Sequence, residues 1–438
     1  MRRFVVIALL LIAATAWATG QRGANAEWVT QDGPISIGLW GAADRPLDTD
    51  DPDGLKFYAD YVFADMDVEL TFYSPGATGS AQPIDLDIAA GKGPDIYYDY
   101  MGRTSKYANA RYAVDIAPYV GQEVLDQYIP SFLALMNKDG VQYGLPGEAW
   151  ISTMIVNKTL LERVGMGEVI DDRAWTMDEF MEASRRVKAL REDFYGYMLF
   201  SATSGGDYWF LGFLPSFGAN LYDNGKIGLN TPEGIRALEW YRDYAKEGLA
   251  PPGASALGFS DFLTAFQTGK FLAYANIPSS AGPTGFETGK SAFEAGNSDY
   301  EYEMVVCAFP SATGNPVPLA IGPDGGMIFR KPSGVSHEMI DAFLALTGKR
   351  NQEWRVNTDS RWSSLKVLDI HPDGMQWAAG NEVLLANGVW DMGIGLAEYG
   401  AVRALVPPLF QAIYTGELTV QEAVDRFEKE GNAALAGE

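Results

Sequence analysis

Tyr97, Tyr98, Asp99, Tyr100 and, three positions on, Arg103 carry side chains suited to gripping a small polar molecule. Aromatic rings match apolar faces, and a carboxylate and a guanidinium match the polar rim. Before them, the turn residues Gly91, Gly93 and Pro94 stop a helix and aim a strand that starts at Asp95-Ile96. In an open α/β sheet, ligands sit beyond the carboxyl ends of strands. The stretch therefore reads as a binding site, and nothing in it reads as a reaction.

The chemistry elsewhere points the same way. His337 and His371 are the only histidines, and neither has a serine-centred or metal-ligand motif beside it. Gly91-Lys92-Gly93 lacks the spacing of a phosphate loop or a dinucleotide fingerprint, so no cofactor is expected. Asp51-Pro52-Asp53-Gly54, in the acidic loop 44–54, invites a calcium reading. Thr49 stands where the first carboxylate ligand belongs, so no metal is expected and the carboxylates read as charges before a helix. With 57 acidic residues, paired carboxylates occur anywhere by chance. They leave a secreted carbohydrate hydrolase or lyase as the alternative function.

A chain of 438 residues is too long for one ordinary core, which implies two domains. The net charge of −24 repels nucleic acid and anionic membranes, so neither is an expected partner. The 22 Phe, 22 Tyr and 11 Trp exceed what packing needs and suit a protein that holds flat or amphipathic ligands. Arg2 and Arg3 precede an apolar run from Phe4 to Ala14, followed by small residues. This is the pattern of a secretory signal peptide within residues 1–26, with cleavage after Ala18 or Ala26. The one cysteine, Cys307, rules out an internal disulfide, and its distance from the cleavage site argues against a lipid anchor.

The elements that must position these residues alternate in type. Strands are expected at Ile35–Trp40, Val68–Phe72, Asp95–Tyr100, Ser152–Val156, Phe271–Ala275, Met304–Phe309 and Gly326–Phe329. Between them lie helices with legible starts: Thr176 with Glu179, Thr231 with Pro232, Ser260, Ser336, and Thr419 with Glu422. Gln142–Pro146 reads as a turn, and Ser279–Asn297 as a loop. Strand-helix alternation of this kind implies parallel sheets with crossover helices.

Several stretches, in order, resemble extracellular solute-binding protein family 1, the periplasmic sugar-binding components of ABC transporters, of maltodextrin-binding-protein type. They are Ala90–Ile96, Tyr143–Pro146 leading to Val156-Asn157-Lys158, Trp175–Phe180, Thr231–Gly234 through Gly248–Pro251, and Phe266–Lys270. Tyr414-Thr415-Gly416-Glu417 before its capped helix fits as well. The chain departs from many relatives in lacking the lipid-attachment cysteine. The resemblance implies an α/β, two-lobed, type II periplasmic-binding-protein-like fold, each lobe a mostly parallel sheet flanked by helices. By analogy one lobe is 33–147 plus 298–331, and the other 148–297 plus 332–438.

It also implies a monomeric periplasmic protein that captures a mono- or oligosaccharide in the cleft between its lobes by hinge closure. Such a protein delivers its sugar to a membrane permease and catalyses nothing. The ligand contacts implied in the first lobe are Trp40, Asp99, Tyr100, Arg103 and Asp324. Near the crossing they are Glu148 and Trp150, and in the second lobe Asp207, Tyr208, Trp209, Asn276 and Ser279. Trp362 and Trp390 are late candidates that serve equally well as core.

Overall fold

Local chemistry sets the helix starts. Thr176 Oγ1 accepts from the Glu179 backbone N–H, and the Glu179 carboxylate accepts in return from the Thr176 N–H at 2.7 Å. Trp175, one residue before the cap, packs edge-on against Phe180 at 5.2 Å and fixes the angle of entry. Thr419 and Glu422 repeat the reciprocal box. Ser336 and Thr231 cap their helices with one side-chain bond each. The computed structural model describes residues 26–39, 55–73, 82–199, 212–223, 225–257, 264–265, 267–276, 290, 292–312, 319–358, 362–366, 396 and 398–436. The expected cap Ser260 lies outside them, as does most of the 279–297 loop.

In chain order the principal elements begin with β1 (Trp28–Val29), β2 (Ile35–Leu39), α1 (Leu55–Val62), β3 (Leu70–Tyr73) and α2 (Gln82–Ala89). Then come β4 (Ile96–Tyr100), α3 (Met101–Asn109), β5 (Gly144–Asn157), α4 (Met177–Leu190) and β6 (Tyr195–Tyr197). They continue with α5 (Pro232–Lys246), β7 (Phe271–Asn276), β8 (Met304–Cys307), β9 (Leu319–Ile328) and β10 (Val335–Ser336). The last are α6 (His337–Thr347), α7 (Lys349–Thr358), β11 (Trp362–Ser363), α8 (Tyr399–Thr415) and α9 (Val420–Leu435).

The chain divides into two compact units. The first is Met1–Gly147, Asp324–Gln352 and Ser364–Lys366; the second is Glu148–Pro323, Glu353–Ser363 and Val367–Glu438. The expected division assigned 298–323 to the first lobe and 332–352 to the second, and both segments lie in the opposite unit. Strand pairing explains the difference. β8 pairs antiparallel with β5 from Met304↔Asn157 to Cys307↔Met154, which holds it in the second unit. β10 pairs with β1, and α6 packs on β4, which holds that segment in the first.

In the first unit β2 lies between β3 and β4 and runs parallel to both. Its Ile35, Ile37 and Leu39 are buried, so it forms the centre of this core. β9 adds antiparallel to β4, with Gly325 opposite Asp99 and Asp324 opposite Tyr100. Asp95, just before β4, accepts from the Ser36 N–H at 2.8 Å and from Lys331 at 2.7 Å, so its role here is to fix the strand. In the second unit β5 pairs antiparallel with β7, β8 and β11, and β6 pairs parallel with β7. The sheets are therefore mixed. An aromatic group of Phe180, Tyr197, Phe213, Trp240, Tyr244 and Phe309 fills this unit's core.

Residues 142–146 do not make the expected turn, because β5 already begins at Gly144. The turn is two residues of positive φ, Asp139 (52°) and Gly140 (83°), in the hairpin Asn137–Gln142. Gly144 serves close approach instead, since a Cβ there would stand 2.4 Å from the Gly326 carbonyl oxygen. Cys307 is buried, and burial pushes its thiol pKa far up.

Candidate functional site

At the carboxyl end of β4 the chain turns into α3 with no intervening loop, and Tyr100 is the N-cap residue. Arg103 thus stands in the first turn of a helix. Asp99 precedes that turn, where the exposed N–H groups favour a carboxylate. Its Oδ1 accepts from the Tyr100 N–H at 2.6 Å, and its Oδ2 accepts from the Tyr97 hydroxyl. Arg103 Nη1 lies 3.3 and 3.2 Å from the two carboxylate oxygens. The pair is asymmetric in exposure, with 24% of the Arg103 side chain accessible and none of Asp99's.

Burial raises the Asp99 pKa, while Arg103, the Tyr97 hydroxyl and the Tyr100 N–H pull it the other way. Tyr97 is raised strongly, first by burial and then by the Asp99 charge. Gly102 is fitted to this corner, because a Cβ there would stand 2.6 Å from the Tyr100 ring. Asp324, opposite Tyr100 on β9, places a second buried carboxylate at the same strand end. Asp99, Tyr100, Arg103 and Asp324 therefore come together from sequence-distant segments of one unit.

The second unit has a cluster of its own where β5 enters it. Glu148 and Arg355 form an ion pair at 3.4 Å, with side-chain exposures of 0% and 9%. β11 pairs there too, with Ser363 opposite Glu148 and Trp362 opposite Ala149. Trp362 is 2% exposed, so its indole is core rather than an open stacking surface. Trp150 lies in β5, and Asn276 ends β7 opposite Thr153; only their backbones are described. Trp40, Asp207, Tyr208, Trp209, Ser279 and Trp390 lie outside the described residues. Among the described residues no cluster of His, Cys, Asp or Glu is arranged to hold a metal, and no helix is long and apolar enough to cross a membrane.

Sequence reasoning named Tyr97 among the strand-end aromatics without giving it a role, and it passed over Arg355. Tyr97 had a signal, since side chains two apart on a strand share a face, which sets its hydroxyl beside Asp99. Arg355 had none, because its partner lies far back in the chain.

Taken together, a two-unit α/β chain with polar-aromatic groups at a strand end is an arrangement suited to holding a small solute. The sequence profile of the bacterial extracellular solute-binding protein family matches residues 49–333, and the chain belongs to that family. A Brucella abortus protein, named simply as a binding protein, is 27% identical over 43% of this chain and 45% of its own length. The maltotriose-binding protein of Pyrococcus abyssi is 24% identical over 44% of this chain and 40% of its own length. The chain thus spans less than half the length of these relatives.

Among solved structures, the cyclic α-maltosyl-1,6-maltose binding protein of Arthrobacter globiformis has a TM-score of 0.69 at 20% identity. That match covers 93% of this chain and 100% of the other. The GacH receptor of Streptomyces glaucescens has a TM-score of 0.68 at 17% identity, covering 93% and 99%. These likenesses show the type II periplasmic-binding-protein fold, and the neighbours are binding proteins.

Proposed function

We propose that this chain is the substrate-binding component of an ABC importer and that its ligand is a mono- or oligosaccharide. It is exported to the periplasm, captures the sugar by hinge closure, and hands it to a membrane permease without chemical change. The observation that carries the reading is the family match across residues 49–333. The sugar class draws support from relatives named for maltotriose and arabinooligosaccharide, and from structural neighbours bound with tagatose and ribitol.

In this reading Tyr100 and Arg103 face the sugar, and Asp99 sets their positions. Closure is driven by contacts that form only in the closed state. Trp40, Trp150, Asp207, Tyr208, Trp209, Asn276, Ser279 and Trp390 are the remaining contacts we assign, while Glu148 and Trp362 support them from the core.

The test is a thermal-shift screen of the mature chain against a panel of mono- and oligosaccharides, with chromatography of each sugar after incubation. Saturable stabilisation with every sugar recovered intact is the expected result. Product formation would instead establish a hydrolase or lyase.

A further inference from the structure

The charge of the ligand can be read from how the arginines beside the candidate residues are used. A carboxylate-bearing sugar is gripped by a guanidinium that has no other anion, preferably through two parallel hydrogen bonds. At the end of β4 the cation is Arg103, and Nη1 already lies within 3.3 Å of both Asp99 oxygens. Asp99 cannot leave this pairing easily, because it is buried and also bonded by the Tyr97 hydroxyl and the Tyr100 N–H. A ligand carboxylate that captured Arg103 would strand a buried charge.

Among the described residues, Lys106 on the helix that follows β4 is committed too, to Asp85 at 2.7 Å. Asp324, opposite Tyr100, adds a further carboxylate to the same strand end. Among the described residues of the second unit, Arg355 lies beside the candidate Glu148 and is paired with it. Beyond these contacts, the chain's net charge of −24 repels anions at long range.

Resting on the sugar-binding reading above, we propose that Asp99 is a specificity-determining residue: by matching the Arg103 charge it makes this site select uncharged sugars or polyols and reject uronic acids. Arg103 then acts as a donor to hydroxyl groups, with no net charge to offer.

Calorimetric titration of the mature chain tests this with galactose, maltotriose and ribitol against galacturonate and trigalacturonate, with spermidine as a cationic control. The expected result is a neutral compound binding at least about tenfold tighter than either acid, since a like-charge approach costs several kcal/mol. Uronate binding as tight as the best neutral sugar overturns the proposal, and so does preferential binding of spermidine. No binding by any sugar or polyol overturns the sugar-binding reading itself, and this inference with it.

Asp99→Asn, checked for folding by its melting transition, removes the compensating charge and keeps the shape. It should shift the acid-to-neutral affinity ratio toward acid by about tenfold or more. An unchanged ratio in folded Asp99→Asn removes Asp99 from the role. Arg103→Gln provides an independent arm: it should weaken binding of the neutral sugar, because a donor to its hydroxyl groups is lost. Loss of galacturonate binding in Arg103→Gln with neutral-sugar binding unchanged would show that Arg103 serves acids and would overturn the proposal.

Discussion

Pro146 and Gln352 stand where the chain leaves the first unit and Ser364 where it returns, and neutral hydrogen bonds tie them to one another. Glu148 and Arg355 stand in the second unit just past the same points, and charge ties them. In the first set, Gln352 Oε1 accepts from the Ser364 N–H at 2.9 Å, and its amide nitrogen donates to the Thr347 carbonyl at 2.6 Å. Ser364 Oγ donates to the Pro146 carbonyl at 2.9 Å. Gln352 and Ser364 are fully buried, so these bonds replace water that cannot reach them. In the second, the Glu148–Arg355 contact is longer, at 3.4 Å, and both ions are desolvated. Several shorter, uncharged bonds thus hold the first set, whereas the second depends heavily on keeping both ions together.

That contrast can be broken from either side. The largest effect is expected for Arg355→Met alone, which takes the guanidinium away from the buried Glu148 carboxylate and should cost about 3–5 kcal/mol. Adding Glu148→Leu should recover most of that loss in urea unfolding. A double variant as unstable as the single would show that the pair is not the source.

Gly147→Ala comes next. The new Cβ would stand 1.8 Å from the Tyr98 hydroxyl oxygen, and overpacking of this kind costs about 1–3 kcal/mol. A neutral Gly147→Ala in the same assay would mean that the Tyr98 ring swings aside. Gln352→Ala should cost about 1–2 kcal/mol by leaving the buried Ser364 N–H without its side-chain acceptor. That loss should be the same at pH 5 and pH 8, since none of its three residues titrates there.

The pH response of the first unit belongs instead to Asp99, whose neighbours include Tyr97, Tyr107 and Arg103. Its pKa is raised on folding, so the folded state binds the proton more tightly than the unfolded chain. The stability this contributes is present in acid and is lost as pH rises through the folded pKa. Compared with Asp99→Asn, the parent should therefore lose stability on going from acid to neutral pH. A difference between the two that grows in the opposite direction would show Asp99 to be held ionised by Arg103 more strongly than burial opposes it. The smallest effect expected is Thr419→Ala, at about 1 kcal/mol for a lost helix cap.

The caps were legible because they are local: Thr176 and Glu179, or Thr419 and Glu422, meet within a single turn. The strand-end position of Asp99 and Tyr100 was legible for the same reason, since the turn before β4 and the helix after it are neighbours in sequence. Length implied two domains, and the resemblance supplied their two-lobed division, which no local pattern contains. Gly144 was misread because glycine marks a turn and a close backbone approach equally well, and only the Gly326 carbonyl decides between them. The return segments 298–323 and 332–352 were assigned to the opposite units because their partners, β5 for one and β1 and β4 for the other, are far away along the chain. Arg355 was invisible on the same ground.

The single thiol has a practical consequence. Cys307 is fully buried, and its thiol is held protonated by that burial, so it is a poor nucleophile toward maleimides. Cysteines introduced at exposed positions such as Leu86 in the first unit and Leu190 in the second would therefore react first. The native sequence thus comes with a silent background for paired fluorophores, and the proposed sugar-induced closure becomes a distance that energy transfer can test in solution.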